Sequence, residues 1–252
     1  MTRFRRIVTC LIAATCLATG AVAEEKPQPP RGARDPDRAR PAGARPRYGF
    51  SAFGGFRALQ VDSRLFDANE VEFGLTEDDF RSGRLGFELD YALLPMLEIV
   101  VGFDTGEAET DGNYLDLVYE DGSEIEHSAR LRLTDYTIGV RVRPFRLGRA
   151  SPYVVFGVAR TSYDYFEEGE FVNFENFDIY YDELEERVSF TGFFAGAGFD
   201  FAVVRMPFGR RLDVFGEFRY ARGEGGHRDE FADFGDLGVA RLGALFGIRV
   251  RF

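Results

Sequence analysis

The chain has two histidines, His127 and His227, and serine-type acyl transfer is the chemistry that would use them. That chemistry needs a serine, a histidine and a carboxylate converging within hydrogen-bond reach. Ser128 directly follows His127. Adjacent residues of a strand point to opposite faces, so this pair cannot work together there. His227 precedes Arg228, Asp229 and Glu230, with no serine near it in the chain. Both histidines therefore read as solvated loop residues, no catalytic residue is assigned, and the chain reads as a non-enzyme.

Carboxylates are the larger store of chemistry. Residues 107–127 (EAETDGNYLDLVYEDGSEIEH) hold eight acids and no Lys or Arg, and residues 165–186 mix acids with aromatics. Such clusters offer the hard oxygen ligands that calcium prefers. Asp111-Gly112-Asn113 and Asp121-Gly122-Ser123 look turn-like, but neither has EF-hand spacing. The expectation is solvated, mutually repelling loops with no cofactor and no built metal site, and at most loosely bound calcium or magnesium. A phosphate-cradling glycine loop, a Cys/His zinc cluster and a basic nucleic-acid face are all missing from the sequence.

What positions these groups is a period of two. The last stretch, VARLGALFGIRVRF, sets Ala240, Leu242, Ala244, Phe246, Ile248, Val250 and Phe252 against Arg241, Arg249 and Arg251. One face is apolar and the other carries arginines, so the strand has different media on its two sides. Eight segments alternate in this way: 48–61, 83–93, 97–106, 128–143, 152–164, 187–204, 212–222 and 239–252. The connections Leu94–Met96, Pro144–Ser151 and Arg205–Arg211 are short, and those at 62–82, 107–127, 165–186 and 223–238 are long. An even strand number with alternating short and long connections predicts an all-β, eight-stranded antiparallel up-and-down transmembrane barrel, with both termini in the periplasm. Arg130, Arg132 and Arg160 fall on the outward parity towards the long connections, so they are expected above the bilayer.

The inward parity carries Arg57, Arg84, Arg141, Arg143, Arg219, Arg241, Arg249 and Arg251. Against them stand Glu88, Asp90, Glu98, Asp104, Asp135, Asp200, Asp213 and Glu217. Eight against eight predicts a lumen ion-pair network, because buried charges are tolerated only when paired. Asp213 and Glu217 are the expected partners of the last strand's arginines. Phe53, Tyr153, Phe190 and Phe194 leave room for a small pocket on the other side.

The N-terminus has the form of a secretory signal. Arg3, Arg5 and Arg6 precede an apolar run too short to span a bilayer, and Ala21-Val22-Ala23 fits a cleavage site. A lipoprotein signal at Cys16 fits poorly because Thr15 precedes it. Both cysteines lie inside this leader, so the mature chain is expected to lack disulfides. The domain reading is a signal peptide at 1–23, a disordered Pro/Arg-rich periplasmic linker at 24–47, and the barrel at 48–252. The whole chain carries −11; removing the three signal arginines and the linker's excess of three positive charges leaves −17 on the barrel. With a balanced interior, that excess belongs to the loops, which are acidic opposite basic short turns.

Gly216-Glu217-Phe218-Arg219-Tyr220, Gly196-Ala197-Gly198-Phe199-Asp200 and the terminal Ile248-Arg249-Val250-Arg251-Phe252 resemble strands of the small outer-membrane β-barrel family with its OmpA-, OmpX- and opacity-like members. The resemblance implies an integral outer-membrane protein, with lipid and lipopolysaccharide as surroundings and no nucleic-acid partner. It also implies a monomer, and an assembly signal in Ile248, Val250 and Phe252 read by the barrel-assembly machinery. The family's girdles usually contain Trp; this chain has none, so Tyr48, Tyr91, Tyr136, Tyr153, Tyr220, Phe145, Phe208 and Phe252 are expected to serve. Lipid A deacylases resemble this architecture but carry a His-x-Ser pair, which His127-Ser128 does not match. The expected function is a non-catalytic barrel with a largely plugged lumen and acidic extracellular loops, in a structural or surface-interaction role. The alternative is a small-ligand or hydrophobic-solute barrel of the OmpW-like kind, with a lipid A-modifying enzyme behind it.

Overall fold

The computed structural model describes residues 47–173, 178–205 and 210–252; the expected signal peptide, nearly all of the expected linker and Phe208 lie outside them. Eight antiparallel strands close into one barrel in chain order. They are β1 (Tyr48–Asp62), β2 (Ser82–Leu94), β3 (Leu97–Val118), β4 (Glu124–Val142), β5 (Ala150–Asn173), β6 (Asp178–Arg205), β7 (Arg211–Gly226) and β8 (Asp236–Arg251). β8 pairs with β7 on one side and with β1 on the other, from Gly49↔Arg251 to Asp62↔Gly238. The terminal residue ties this seam: Phe252 N donates to Tyr48 O at 2.9 Å, and Phe252 O accepts from Arg47 N and Tyr48 N at 3.0 and 3.1 Å. Closure leaves no unpaired strand edge, which is what a chain crossing lipid with strands requires. Among the described residues no helix is long and apolar enough to cross a membrane.

Near the short turns the outer face is an apolar band. It includes Phe50 and Phe56 on β1, Leu85 and Phe87 on β2, Ile138 on β4, Phe156 on β5, Phe199 on β6, Phe218 on β7 and Phe246 on β8, all exposed. Aromatic contacts mark both rims: Tyr48 lies 5.2 Å from Tyr91 on one, and Phe103–Tyr136 and Phe193–Tyr220 are 5.3 and 6.1 Å apart on the other. Tyr153 does not join these girdles. It faces inward and is buried, because its parity is that of the lumen set. Beyond the second rim the outer face turns polar. Arg132 pairs with Glu107, Arg187 with Asp164 at 3.0 Å, and Arg222 with Glu224 at 2.8 Å. Arg130, Arg132 and Arg160 all lie on this polar stretch or at its border.

The long connections at 107–127 and 165–186 are mostly strand rather than loop. β3 and β4 run on to a turn at 119–123, and β5 runs to Asn173 with β6 starting at Asp178. Past the apolar band the outside medium is water, so the two faces exchange character. The same inward parity that carries ions lower down now carries Ala129, Leu131 and Leu133 on β4, Tyr163 and Tyr165 on β5, and Val188 and Phe190 on β6, all buried. These belong to one apolar cluster. Each Leu, Val or Phe among them that is fully withdrawn from water contributes about 1.5–3 kcal/mol.

The first long connection folds over that cluster. Helix α1 (Arg64–Phe73) is capped by Ser63, whose side-chain oxygen accepts from Leu65 N, and buries Leu65, Phe66, Asn69 and Phe73 on one face. Gly74 ends it with a left-handed backbone, φ 69°, which a side chain would strain. A 3₁₀ turn at Glu77–Phe80 buries Phe80. A second 3₁₀ turn, Asp229–Phe234, covers the other side and buries Phe231.

Candidate functional site

Inside the apolar band all sixteen expected lumen charges are buried, each at most 7% exposed. Arg57 donates to Ser82 Oγ at 3.0 Å and to the carbonyls of Gly106 and Leu133 at 2.7 and 2.8 Å, with Asp135 and Asp104 at 3.6 and 3.9 Å. Arg84 meets Asp104. Arg241 reaches Asp135 at 2.5 Å and Thr161 at 2.9 Å. Lower down, Glu88 accepts from Arg141 and, at 2.6 Å, from Arg219. Asp90 lies 3.6 Å from Arg249 and 3.7 Å from Arg141. Asp200 accepts from Arg143 at 2.7 Å, from Arg251 at 2.9 Å and from Arg249. Arg251 also reaches Glu98 at 2.7 Å, and Arg143 meets Glu98 as well.

The partners of the last strand differ from the expected ones. Arg251 does reach Asp213, at 3.1 Å, but Arg249 turns to Asp200 and Arg241 to Asp135. Glu217 instead accepts from Arg219 on its own strand at 2.6 Å and from the Tyr153 hydroxyl at 2.9 Å. An arginine is long enough to cross a narrow lumen, so the nearest carboxylate in space need not lie on the neighbouring strand. The four aromatics of the expected pocket are also buried. The guanidinium carbons of Arg141, Arg143 and Arg249 lie 4.9, 5.4 and 5.5 Å from the Tyr153 ring centroid, and Arg219 lies 5.1 Å from that of Phe194. Facing glycines make room for the rings. A Cβ on Gly86 would meet the Phe53 ring at 2.6 Å, and one on Gly198 would meet Tyr153 at 2.8 Å.

The second polar group sits above the band, under α1 and the Asp229–Phe234 turn. Neither histidine is a solvated loop residue. His127 lies in β4, buried, stacked on Phe73 at 3.9 Å between centroids and met edge-on by Phe171. Burial away from any charge lowers its pKa to about 4. His227 is buried between Ser63 and Glu186: Nε2 lies 2.6 Å from Ser63 Oγ, and Nδ1 lies 2.7 Å from Glu186 Oε2. The other Glu186 oxygen accepts from Arg228 N at 2.6 Å. Nearby, Asn69 donates to the Tyr165 hydroxyl and to Glu167, both at 2.7 Å, and burial raises the Glu167 pKa.

Sequence reading missed Ser63, Glu186 and Asn69. The helix signal was present: a capping serine, apolar residues at 65, 66 and 73, and Gly74 as the stop. Nothing local joins Ser63 to His227, which are 164 residues apart. Of the two acidic turns, Asp111-Gly112-Asn113 lies within β3, and Asp121 is used by its own turn, accepting from Ser123 N and Oγ at 3.0 and 2.7 Å. Among the described residues no group of three or more His, Cys, Asp or Glu side chains is placed to hold a metal ion.

A closed eight-stranded ring, apolar outside over one zone and ionic inside it, defines a transmembrane β-barrel of the small outer-membrane type. No protein-family model matches the chain, and no curated protein sequence does. Solved structures similar to it include Neisserial surface protein A, NspA, at 12% identity over 81% of this chain and 96% of that one, with a TM-score of 0.44. OprG from Pseudomonas aeruginosa is 12% identical over 83% and 98%, with a TM-score of 0.42. Ail of Yersinia pestis is 16% identical over 81% and 99%, with a TM-score of 0.37.

Proposed function

We propose that this protein is an integral outer-membrane barrel whose lumen is closed by ion pairs and whose strand extensions form a rigid acidic turret at the cell surface, in a structural or surface-interaction role. The observation that carries the reading is the ion-pair set spanning the lumen from Arg57 to Arg251, with no charged member more than 7% exposed. A wide pore needs hydrated walls; the charges on these walls lie against opposite charges on facing strands. In this orientation the termini and short turns face the periplasm, and the apolar band meets lipid. The paired charges just beyond it, such as Arg187 and Asp164, meet the lipopolysaccharide headgroup region. Loosely held calcium or magnesium would sit among the exposed turret acids.

Planar bilayers test the closure. Purified, folded protein is expected to pass no steady current, whereas a large, steady conductance would overturn the reading. The surface role is tested by pull-down and lipid binding, comparing intact protein with versions trimmed at 107–127 and 165–186. Loss of binding on trimming is the expected result.

A further inference from the structure

We infer that Ser63, His227 and Glu186 form a serine-nucleophile site that transfers acyl groups from carboxylic esters. This goes beyond the envelope role and does not depend on whether the lumen conducts. Two strand ends and the wall of a third strand bring the residues together: Ser63 follows β1, His227 follows β7, and Glu186 faces inward within β6. The nitrogens are used in the order that acyl transfer needs. Nδ1 faces the carboxylate at 2.7 Å and Nε2 faces the hydroxyl at 2.6 Å. With its proton on Nδ1, the ring donates to Glu186 and can accept from Ser63. Glu186 is itself held by the Arg228 N–H on its other oxygen, so the ring has a fixed orienting partner.

Ser63 also caps α1, and that second role suits a nucleophile. Leu65 N–H donates to Oγ at 3.1 Å, using a lone pair and leaving the hydroxyl proton for Nε2. When Oγ bonds to an acyl carbon, the developing oxyanion lies within reach of the same helix N-terminus. The surroundings are apolar: Leu65, Phe66, Phe231 and Leu237 are buried in the same cluster, with Phe234 packed against it. Once this packing opens, they would give an acyl group apolar surroundings.

The balanced step is as follows. Ser63 Oγ bonds to the ester carbonyl carbon as its proton passes to His227 Nε2. The C–O bond to the leaving alcohol breaks, and the alcohol takes that proton. Water then attacks the acyl-serine, gives its proton to Nε2, and releases the acid as Ser63 regains a proton. Access is gated by Arg64, which donates to Phe234 O at 3.1 Å and to Asp233 O, tying the Asp229–Phe234 turn to the start of α1 beside Ser63.

The test uses the whole folded barrel in detergent micelles, with its fold checked by the heat-dependent gel shift. Wild type, Ser63→Ala, His227→Gln, Glu186→Gln and Arg64→Ala are exposed to an alkyl fluorophosphonate and the adduct is mapped by peptide mass spectrometry. A single adduct on Ser63 is expected, absent in Ser63→Ala and slowed about a hundredfold or more in His227→Gln. Glu186→Gln should slow it too, and Arg64→Ala should label at least as fast as wild type. Release of p-nitrophenol from p-nitrophenyl butyrate should follow the same order. No adduct on Ser63 in either wild type or Arg64→Ala would overturn the proposal. So would an adduct that His227→Gln forms at the wild-type rate.

Discussion

Glu217 shows what a single buried charge does in this lumen. It accepts from Arg219 and Tyr153 while fully enclosed, so truncating it leaves the Arg219 guanidinium with Glu88 alone and takes the acceptor from a buried phenol. Breaking a buried pair from one side costs about 3–5 kcal/mol. Glu217→Ala should therefore lower the urea unfolding midpoint in lipid vesicles clearly, whereas Glu120→Ala, on the exposed turn, should leave it unchanged; equal midpoints would refute the lumen assignment. His127 gives a pH-dependent case. Its folded pKa of about 4 lies below the ordinary 6.5, so the unfolded chain takes up the proton first as pH falls. Its contribution is fully present above about pH 6.5 and is lost between about pH 6.5 and 4. His127→Phe should flatten the fall in stability over that window, read as the difference between the two proteins' pH–stability curves. Parallel curves would count against the assignment.

Helix α1 is held to the wall by few polar contacts. Among the described residues of α1, Asn69 is the one that reaches across to both Tyr165 and Glu167 on β5. Asn69→Ala leaves those groups buried with one partner fewer, a loss of about 1–3 kcal/mol. The cap should open while the membrane zone, joined to it only by strands, keeps its pairing. The expected result is faster proteolysis within 63–81 with an unchanged heat-dependent gel shift. If the shift is lost along with the cap, the two zones do not open independently. Gly74 supports the same element, since its φ of 69° lets the chain turn back after the helix. Gly74→Val should loosen the cap in the same assay.

The barrel is two stacked interiors inside one continuous set of strands. Lipid outside the lower zone forces apolar side chains outward and ions inward; water outside the upper zone reverses both. On the proposed reading each zone has its own closure: ion pairs below, an apolar core under α1 above. Replacing residues 63–81 with a short Gly/Ser linker should therefore leave planar-bilayer conductance negligible, because the lumen network is untouched. Current appearing on that deletion would place the seal in the cap instead.

Much of this was legible in the chain. Alternation marked the eight strands, connection lengths set their up-and-down order, and inward parity picked out the sixteen charges from Arg57 to Arg251 that the structure buries. Those properties are local: a side chain's face depends only on its position along a strand. Sequence reading stopped short at 107–127 and 165–186, where it expected loops. It sought one apolar face outward, and the strands continue with that face turned inward. Pairings such as Arg241 with Asp135, and the meeting of Ser63, Glu186 and His227, were decided only by the closed barrel. Closure sets which strand ends become neighbours across the lumen and under the cap, and no spacing within the chain encodes those distances.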